Sequence, residues 1–502
     1  MTEASPHRIR SLVIVGGGTA GWMAAASFAK HFQGSDLAIT LVESSEIGTI
    51  GVGEATIPTI RRFYAKLGLS DQAVMQATGA TAKLGIQFQD WRQTGQAFIH
   101  PFGLYGQNMG DVGFHHLWLR ARAEGDDTPI SAYSLGAMLA GEHRMALPQA
   151  NPPTPLATYD WALHLDASLF AQYLRRYAEA SGVARIDARV AEIEQGDGGT
   201  IAAIRLHDGG RIEGDFFIDC TGFRSLLLGE ALGVGFEDWS EWLPCDAAIA
   251  VQTENALADP PPYTRAHAKA AGWQWRIPLR HRAGNGIVYS SKRMSMDEAT
   301  ATLMADLPGK PLTELRAIPF RSGRRTRAWQ GNCVALGLAS GFLEPLESTS
   351  IALIETGIER LKELFPDRRL NAALAEEFND ATAREMERVR DFIILHYKLT
   401  QRDDTDFWRH CAAMPVPDTL RRKMDLWDAR GEFIRYRWEM FHPASWLAMY
   451  TGFDRIPEGT NRGLDGADAA KMAAAMRRMR ESVAATVAGA PSHRQFLETI
   501  DR

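Results

Sequence analysis

Short apolar runs separated by glycines and acidic residues open the chain and predict a parallel sheet. Leu12–Val15 is an apolar, β-branched run typical of a buried strand. It ends in a glycine-rich turn, and the helix formers of Ala24–Ala29 follow. A second apolar run, Ala38–Val42, ends at Glu43. Strand, glycine turn, helix and strand in this order predict an α/β fold that begins with a βαβ unit.

Apolar periodicity along the rest of the chain predicts further helices and strands. The glycines at 48, 51 and 53 indicate an extended strap rather than a packed strand. Helices are predicted at Thr59–Leu67, Asp71–Thr78, Asp166–Ala180, Ile351–Leu364, Leu370–Lys398 and Asp468–Ala488. Strands are predicted at Ala82–Gln89, Arg185–Glu194, Ile201–His207, Arg211–Ile218, Trp273–Leu279, Gly286–Ser290 and Asn332–Gly337.

The first glycine turn matches the dinucleotide-binding pattern G-x-G-x-x-G. Gly16 permits the tight turn, Gly18 permits close approach of a pyrophosphate, and Gly21 permits close packing of helix on strand. Glu43 follows about 20 residues later, where a carboxylate that binds ribose hydroxyls is expected. These features argue against a chance glycine turn. The predicted contacts of the cofactor are Gly16, Gly17, Gly18, Thr19, Ala20, Gly21 and Glu43.

Two later segments indicate that the cofactor carries a second nucleotide-like half. The predicted meander ends in Asp219-Cys220-Thr221-Gly222, a second turn of the type that lies near a nucleotide. The segment 337–351 offers a second helix N-terminus to an isoalloxazine ring. The chain thus returns to the sheet from three regions, which favours bound FAD over exchangeable NAD. We predict a Rossmann-like, FAD-binding α/β fold.

Composition sets the class of protein and its domains. The chain has 502 residues, 45% of them hydrophobic and 23% charged, with a net charge of −6. These values are ordinary for a globular protein and give no reason to expect a nucleic-acid partner. The composition shifts to long helices near residue 366. We predict a domain at 1–365 with β-rich insertions at about 105–160 and 245–320, and a helical substrate-covering region at 366–502.

The cysteines and the apolar segments bear on metal binding and location. Four cysteines lie far apart and form no C-x-x-C pair, so no zinc site is predicted. They are Cys220, Cys245, Cys333 and Cys411. The N-terminus lacks an apolar signal core, and no segment approaches 18 uninterrupted apolar residues. We therefore expect a cytoplasmic protein with no membrane partner.

Four stretches resemble the flavin-dependent tryptophan halogenases: GGGTAGW at 16–22, GVGEATIP at 51–58, WQWRIP at 273–278 and LEPLESTS at 343–350. The resemblance implies a fold like that of GR2-type flavoprotein monooxygenases. It also implies an enzyme that uses FADH2, O2 and chloride or bromide to form hypohalous acid, which halogenates an aromatic substrate. A separate NAD(P)H-dependent flavin reductase would supply FADH2, and family members are often homodimers.

WQWRIP is the most specific of the four stretches. In a strand, Trp273 and Trp275 point to the same face, and Pro278 ends the strand. Beside a flavin, the two indoles would form an apolar wall that keeps an organic substrate away, which is the role that the resemblance implies. From the strand alone, packing of two large side chains in a core is the simpler interpretation.

Lys83 and Glu347 are the catalytic residues that the resemblance implies. By pattern alone, Lys83 is a surface lysine of an alternating strand and Glu347 is an N-cap carboxylate for the helix at 351. The resemblance implies that Lys83 binds hypohalous acid, or forms a haloamine, and directs the halogen to one carbon. Glu347 would polarise that acid or accept the proton lost from the ring.

The resemblance also implies a halide site at Thr349 and Ser350, through backbone N–H groups at a helix N-terminus. Serine replaces the glycine that the family has at position 350. This side chain would reshape the site, and a positive φ would be less comfortable there. We hypothesise that bromide is used better than chloride, because the softer ion needs less desolvation. The resemblance adds three flavin contacts: Val190, Leu338 and Ile351.

Aromatic residues are expected to form the substrate pocket. The resemblance places His100 and Phe102 against an indole, with Trp273 and Trp275 nearby. Trp446 and Leu447 replace a Tyr-Tyr pair that binds the amino-acid end of tryptophan in the family. An indole-type substrate other than free tryptophan is therefore expected. A flavin-dependent hydroxylase is the alternative enzyme, and a flavin-binding accessory protein is the non-enzymatic alternative.

Overall fold

The computed structural model describes residues 7–47, 53–255 and 257–501. In chain order, strands β1 to β22 cover Ser11–Val15, Ala38–Glu43, Gly53–Ala55, Thr81–Lys83, Gly85–Gln89, Ala97–Pro101, Ala162–Asp166, Ala184–Asp187, Val190–Gly196, Thr200–Leu206, Arg211–Glu213, Phe216–Asp219, Phe236–Asp238, Ala247–Thr253, Tyr263–Lys269, Gly272–Pro278, Ala283–Tyr289, Arg316–Pro319, Gly323–Arg325, Trp329–Gln330, Cys333–Ala335 and Gly341–Phe342. Helices α1 to α14 cover Thr19–His31, Thr59–Lys66, Asp71–Thr78, Phe114–Ala123, Leu135–Gly141, Ala167–Ala180, Met296–Ala305, Ser350–Glu363, Ala372–Lys398, Asp406–Ala413, Asp418–Arg430, Pro443–Gly452, Ala469–Gly489 and His493–Ile500.

The chain forms two compact units, each built from three separate segments. The first unit comprises Met1–Gly79, Leu165–Leu243 and Pro319–Glu387. The second unit comprises Ala80–His164, Pro244–Ile318 and Arg388–Arg502. The predicted boundary after residue 365 marks a change in composition, whereas the units are defined by packing. Each unit assembles its sheet from strands that lie far apart in the sequence, so composition does not reveal the division.

The first unit contains the predicted parallel sheet. Its strand order is β20-β21-β12-β1-β2-β8, and only β20 pairs antiparallel to its neighbour. β1 lies between β2 and β12, with Ile14 opposite Leu41 and Ile218. The apolar run at 12–15 is fully covered, and the alanine-rich α1 is buried along most of its length. This arrangement confirms the predicted βαβ unit and the α/β fold class.

The predicted meander contains more strands than expected. The run 185–194 is split into β8, which pairs with β2, and β9, which pairs with β10. The run 211–218 is split into β11 of the meander and β12 of the parallel sheet. At the second junction, the Asp215 carboxylate accepts the N–H groups of Arg10 and Ser11 at 2.7 and 3.1 Å. These bonds fix the change of sheet, which the continuous strand-like pattern conceals.

The second unit is organised by a sheet of order β18-β14-β17-β16-β15-β5-β6. The WQWRIP strand β16 lies antiparallel between β15 and β17, and it ends at Pro278 as predicted. The predicted strand 82–89 is two strands, because Leu84 separates β4 from β5. β4 pairs antiparallel with β7, so that Thr81 lies opposite His164 and Lys83 lies opposite Ala162.

Residues 105–160 differ from the prediction of a β-rich insertion, which is wrong for this stretch. They contain α4 and α5, whose buried faces are formed by residues such as Leu117 and Leu139. The many Gly, Pro and Asn residues around these short helices obscured their periodicity. The predicted strands of 245–320 are present as β14 to β18. The glycines at 48 and 51 lie outside the described residues, and Gly53 begins β3.

Long helices follow residue 371, as the shift in composition indicated. The methionine stripe of α13 is a packing face, since Met472, Met476 and Met479 are buried. Within residues 7–47, 53–255 and 257–501, every helix is too short or too polar to cross a membrane.

Candidate active site

The first glycine turn is held by close backbone contacts in the first unit. Gly16 has φ of +112°, and its N–H donates to the Val42 carbonyl at 2.8 Å. A Cβ on Gly16 would lie 2.2 Å from the Cys220 carbonyl oxygen. A Cβ on Gly21 would lie 1.8 Å from the Gly16 carbonyl oxygen. Side chains are therefore excluded at both positions, as the dinucleotide-binding pattern requires.

The N-terminus of α1 is suited to bind a phosphate. Gly18 is the N-cap residue and supplies no side-chain hydrogen bond to the helix, and the first turn carries no acidic residue. A Cβ on Gly18 would meet no protein atom within 4 Å, so open space faces this turn. Thr19 and Ala20 begin the helix there. Its first N–H groups and its dipole thus offer a site for the pyrophosphate of FAD.

Glu43 lies where a ribose-binding carboxylate is expected. Its side chain abuts the glycine turn, because a Cβ on Gly17 would overlap the Glu43 carboxylate. The Arg185 guanidinium donates to the same carboxylate at 2.6 Å, and Arg175 lies 3.9 Å away. Arg185 therefore orients Glu43. No local pattern predicts this pair, since 142 residues separate its members.

The later turns of the first unit reach the same helix N-terminus. A Cβ on Gly337 would lie 3.0 Å from the Ala20 Cβ, so the late glycine turn packs against α1. The next residue, Leu338, lines a cavity of about 290 Å³ with Phe223, Phe236, Pro319, Phe320, Arg321, Arg325 and Phe342. Ile351 is buried in the first turn of α8. Val190, the remaining predicted flavin contact, begins β9 and packs beside the apolar core under the sheet.

Asp219 builds the second predicted nucleotide-proximal turn. It is fully buried, and one of its oxygens accepts the N–H of Thr221 at 3.0 Å and its hydroxyl at 2.6 Å. The other oxygen accepts the N–H groups of Leu227 and Leu228, both at 2.9 Å. Together with the Ser225 hydroxyl at 3.4 Å, these donors fix the end of β12 next to Gly16. The residues of the first unit fit a bound dinucleotide such as FAD.

Glu347 ends a buried 3-10 turn, Pro345–Glu347, and its side chain is only 1% exposed. Ser348 follows with φ of +58°, and Thr349 is the N-cap residue of α8. The interpretation of Glu347 as the N-cap of this helix is therefore wrong, because the left-handed Ser348 intervenes. A carboxyl group buried in a turn, rather than facing solvent at a helix end, matches a chemical role better than a capping role.

The predicted halide site lies at the start of α8. Thr349 makes no side-chain cap, and its buried hydroxyl has no hydrogen-bond partner among the described residues. Ser350 begins the helix, and the left-handed conformation falls on Ser348 instead. The backbone strain expected for serine with a positive φ at position 350 is therefore absent. Ser350 differs from the family's glycine by its side chain. This side chain lies next to the N-terminus of α8 and to the Thr349 hydroxyl.

Lys83 is completely buried, in contrast to the surface lysine that the strand pattern alone predicted. Its ammonium lies 5.2 Å from the centre of the Phe102 ring. Phe102 is fixed beside it because its N–H donates to the Leu84 carbonyl at 2.8 Å. The small Ala162 lies opposite Lys83 on β7. A buried amine next to an aromatic wall is rare outside functional sites.

The two tryptophans of β16 form the wall predicted from their spacing. Trp273 and Trp275 are buried, with ring centres 6.2 Å apart. A Cβ on Gly286 would lie 2.1 Å from the Trp275 ring, so this glycine of β17 makes room for the indole. Trp273 also contacts Trp91 at 6.4 Å between ring centres. Whether the wall shields a substrate from flavin stays a prediction.

His100 and Trp446 are joined by two phenylalanines that the sequence analysis missed. His100 meets Phe392 edge-on at 5.8 Å, and Phe392 stacks on Phe441 at 3.9 Å. Trp446 meets Phe392 at 5.0 Å, and the Lys423 ammonium lies 4.3 Å from the centre of its ring. We call the four residues His100, Phe392, Phe441 and Trp446 the aromatic cluster. Phe392 lies on α9 and Phe441 lies just before α12, and neither carries a local sequence signal.

Comparison with known proteins identifies the family to which these features belong. The family model described as tryptophan halogenase matches residues 11–469. The chain belongs to the tryptophan halogenase family. As a flavin-dependent halogenase it uses FADH2, O2 and a halide ion, and the hydroxylase alternative is not favoured.

Solved structures and curated relatives resemble this halogenase over nearly its full length. BrvH, a flavin-dependent halogenase from Brevundimonas sp. BAL3, has 62% identity and a TM-score of 0.96, covering 99% of this chain and 100% of its own. Xcc4156, a flavin-dependent halogenase from Xanthomonas campestris, has 46% identity and a TM-score of 0.94, covering 98% of both chains. Tryptophan 6-halogenase SttH from Streptomyces toxytricini is 38% identical over 486 residues, which are 91% of each chain.

The predicted site residues of this halogenase are divided between the two units. The first unit holds the flavin and halide residues together with Glu347, and the second holds Lys83 and the predicted pocket aromatics. Within the second unit, the structure brings Lys83 and Phe102 together, and it joins His100 to Trp446 through the aromatic cluster. The individual roles of these residues stay predictions.

One buried and one half-buried histidine make the stability of this halogenase depend on pH. Burial lowers the pKa of His493 to about 4, and it likewise lowers the pKa of His115 to about 4. The unfolded chain takes up these protons near pH 6.5, whereas the folded chain does so only near pH 4. The contribution to stability is therefore complete above pH 6.5 and falls as the pH decreases toward 4, by about 3 kcal/mol for the fully buried His493 and by less for the partly exposed His115. Urea unfolding between pH 7.5 and 5 measures this loss.

The variant His493→Gln isolates the contribution of one group. We expect its unfolding free energy to be lower than that of the wild type at pH 7.5, with a shallower decrease below pH 6.5. Equal pH slopes in the two proteins would refute the assignment of a neutral His493.

Proposed function

We propose that this halogenase modifies an electron-rich indole that carries no free amino-acid group, with Lys83 as the residue that directs the halogen. The observation that carries the proposal is the ammonium of Lys83, completely buried and 5.2 Å from the Phe102 ring. A buried cation at an aromatic wall can bind a small polar oxidant and aim it at an adjacent ring. The family sets the reaction class, and this geometry supports the role of the residue.

The reaction is balanced with the components that the family uses. Reduced FAD supplies two electrons, so that FADH2, O2, a halide ion and a proton give FAD, hypohalous acid and water. In the second step, a carbon–halogen bond replaces a carbon–hydrogen bond of the indole, and water leaves. Lys83 would donate a hydrogen bond to hypohalous acid. Glu347 would polarise that acid or accept the ring proton.

The aromatic cluster supports an indole without charged groups. The charged groups beside it are already paired with each other, because the Lys423 ammonium lies 2.8 Å from the Glu439 carboxylate and both are buried. The charged groups of a tryptophan zwitterion placed beside this pair would compete with it, and separating the pair leaves a buried charge without a partner. Trp446 presents an indole face where the family has a phenol pair. These features favour an apolar substrate.

The remaining proposals concern partners. A separate NAD(P)H-dependent flavin reductase would supply FADH2, since the single dinucleotide fingerprint of the chain is assigned to FAD. We propose a homodimer because members of the family are often homodimers. Hydrodynamic mass measurement tests the second proposal, and turnover driven by an added reductase tests the first.

A panel of substrates and halides tests the proposed specificity. With reduced FAD and O2, we expect kcat/KM for indole to exceed that for free tryptophan at least about tenfold, which corresponds to one missing favourable charge contact. We expect bromide to give faster turnover than chloride at equal concentration, because Ser350 adds a side chain to the halide site and bromide is less strongly hydrated. Mass spectrometry of the products measures both ratios.

The same panel includes the results that would contradict these expectations. Faster turnover of free tryptophan would refute the substrate class, and faster turnover with chloride would refute the halide preference. Hydroxyindole in place of bromoindole would restore the hydroxylase alternative. FAD binding without any product from the whole panel would favour an accessory protein.

A further inference from the structure

A chain of hydrogen bonds runs beside Lys83 through the second unit. His164 Nδ1 lies 3.1 Å from the Thr81 hydroxyl, and His164 Nε2 lies 3.0 Å from the Thr264 hydroxyl. The Thr81 hydroxyl donates to the Pro278 carbonyl at 2.7 Å. His164 and Thr81 are fully buried, and Thr264 is nearly so. These hydrogen bonds therefore join β15, β7 and β4 to the last residue of the WQWRIP strand.

The donors of this chain can be assigned from its geometry. The proton of the Thr81 hydroxyl is used on the Pro278 carbonyl, so Thr81 accepts from His164. His164 must then carry its proton on Nδ1, and its Nε2 accepts the proton of the Thr264 hydroxyl. Only a neutral imidazole can donate on one side and accept on the other. Burial, followed by the charges of Lys83 and His493, lowers the pKa of His164 and keeps it neutral.

The sheet register places this chain on the same face as Lys83. Side chains at positions 81 and 83 of β4 point to one side, because alternate residues of a strand share a face. Thr81 lies directly opposite His164, and Lys83 lies opposite Ala162. The hydrogen bond between Thr81 and His164 therefore fixes β4 at the position two residues before Lys83.

The backbone of β4 is also held by the C-terminal helix α14. The Ala82 N–H donates to His493 Nε2 at 3.2 Å, and His493 Nδ1 donates to the Pro260 carbonyl at 2.6 Å. The short strand that carries Lys83 is thus fixed by the side chains of His164 and His493. Several buried hydrogen bonds on a three-residue strand allow it to position the Lys83 side chain accurately.

We propose that His164 and Thr81 are positioning residues of the halogenation reaction, which hold the strand of Lys83 at a fixed distance from the end of the tryptophan wall. This inference rests on the proposed role of Lys83. A displacement of about 1 Å at the amine would misdirect the oxidant and lower the rate by up to about 100-fold. Binding of FAD, whose predicted contacts are in the first unit, would be unaffected.

Four substitutions separate the links of the chain. Thr81→Val removes the hydroxyl and Thr81→Ser retains it. His164→Asn keeps an amide near the position of Nδ1, toward Thr81, whereas His164→Gln places one near the position of Nε2, toward Thr264. We expect Thr81→Val and His164→Gln to lower kcat for indole bromination by about 10- to 100-fold. Thr81→Ser and His164→Asn should stay within about threefold of the wild type.

The readouts distinguish positioning from stability. Positioning predicts that KM for indole changes little, while hypohalous acid escapes and the ratio of product isomers shifts. His115→Asn is the matched control, since it removes a half-buried histidine that bonds the Gly431 carbonyl elsewhere in the second unit. It should lower stability without changing kcat per folded molecule.

Two results would overturn the inference: wild-type kcat in Thr81→Val and His164→Gln, or losses that only follow the folded fraction. Lys83→Ala is measured in the same assay. If Lys83→Ala is inactive while Thr81→Val is normal, positioning fails and the proposed function stands. If Lys83→Ala retains full activity, the proposed role of the lysine fails instead.

Discussion

Replacing Lys83 with methionine lowers kcat for indole halogenation by about 1,000-fold, the size of effect expected when a group that directs a reaction through a proton is lost. The substitution keeps an apolar stem of similar length in a site that is completely buried. It removes only the ammonium beside Phe102. Hypohalous acid still forms, so its detection with a soluble halogen acceptor should be unchanged. Product formation by liquid chromatography gives the loss.

Lys269→Met is the control for loss of a lysine in the same unit. Lys269 is paired with the Asp306 carboxylate at 3.1 Å and is half-buried on β15. Its loss should reduce stability and leave kcat within a factor of about two, as for a group without contact to the reaction. Regiospecific halogenation by Lys83→Met at the wild-type rate would show that the amine does not direct the halogen.

Glu347→Gln is expected to lower kcat by about 100-fold with little change in KM for indole. The amide is similar in shape to the carboxylate but cannot accept the ring proton. The site is a buried turn next to the predicted halide residues. Single-turnover halogenation from pre-reduced FAD measures the loss without the reductase step.

Glu344→Gln tests whether any buried carboxylate of this turn would give the same result. Glu344 is fully buried three residues before Glu347. The control should lose stability but keep kcat per folded molecule. If Glu344→Gln and Glu347→Gln behaved alike, the assignment of Glu347 would fail.

The local pattern of the sequence predicted the parts of the fold that depend on neighbouring residues. The glycine turn, its flanking strands and Glu43 form one continuous stretch, so spacing alone placed them. The same holds for Trp273 and Trp275, whose shared face follows from strand geometry. These features need no knowledge of distant contacts.

Other parts of the site depend on contacts that the sequence does not show. Lys83 has the pattern of an exposed residue, whereas the structure buries it through contacts with distant segments, among them the pairing of β4 with β7. Glu347 has the pattern of a cap, and one left-handed serine changes that interpretation. Arg185 bonds Glu43 from a distant segment, and Phe392 joins His100 to Trp446 across distant segments. Family resemblance predicts catalytic roles for Lys83 and Glu347, whereas their local physical pattern favours simpler roles.

The division of the chain into interleaved segments limits how this enzyme can be redesigned. The backbone changes from one unit to the other at 79/80, 164/165, 243/244, 318/319 and 387/388. A chimera that takes its pocket from another halogenase would therefore need five matched junctions instead of one. Directed change of single side chains, such as those that surround Trp446, keeps every junction native and is the sounder way to widen the range of compounds accepted.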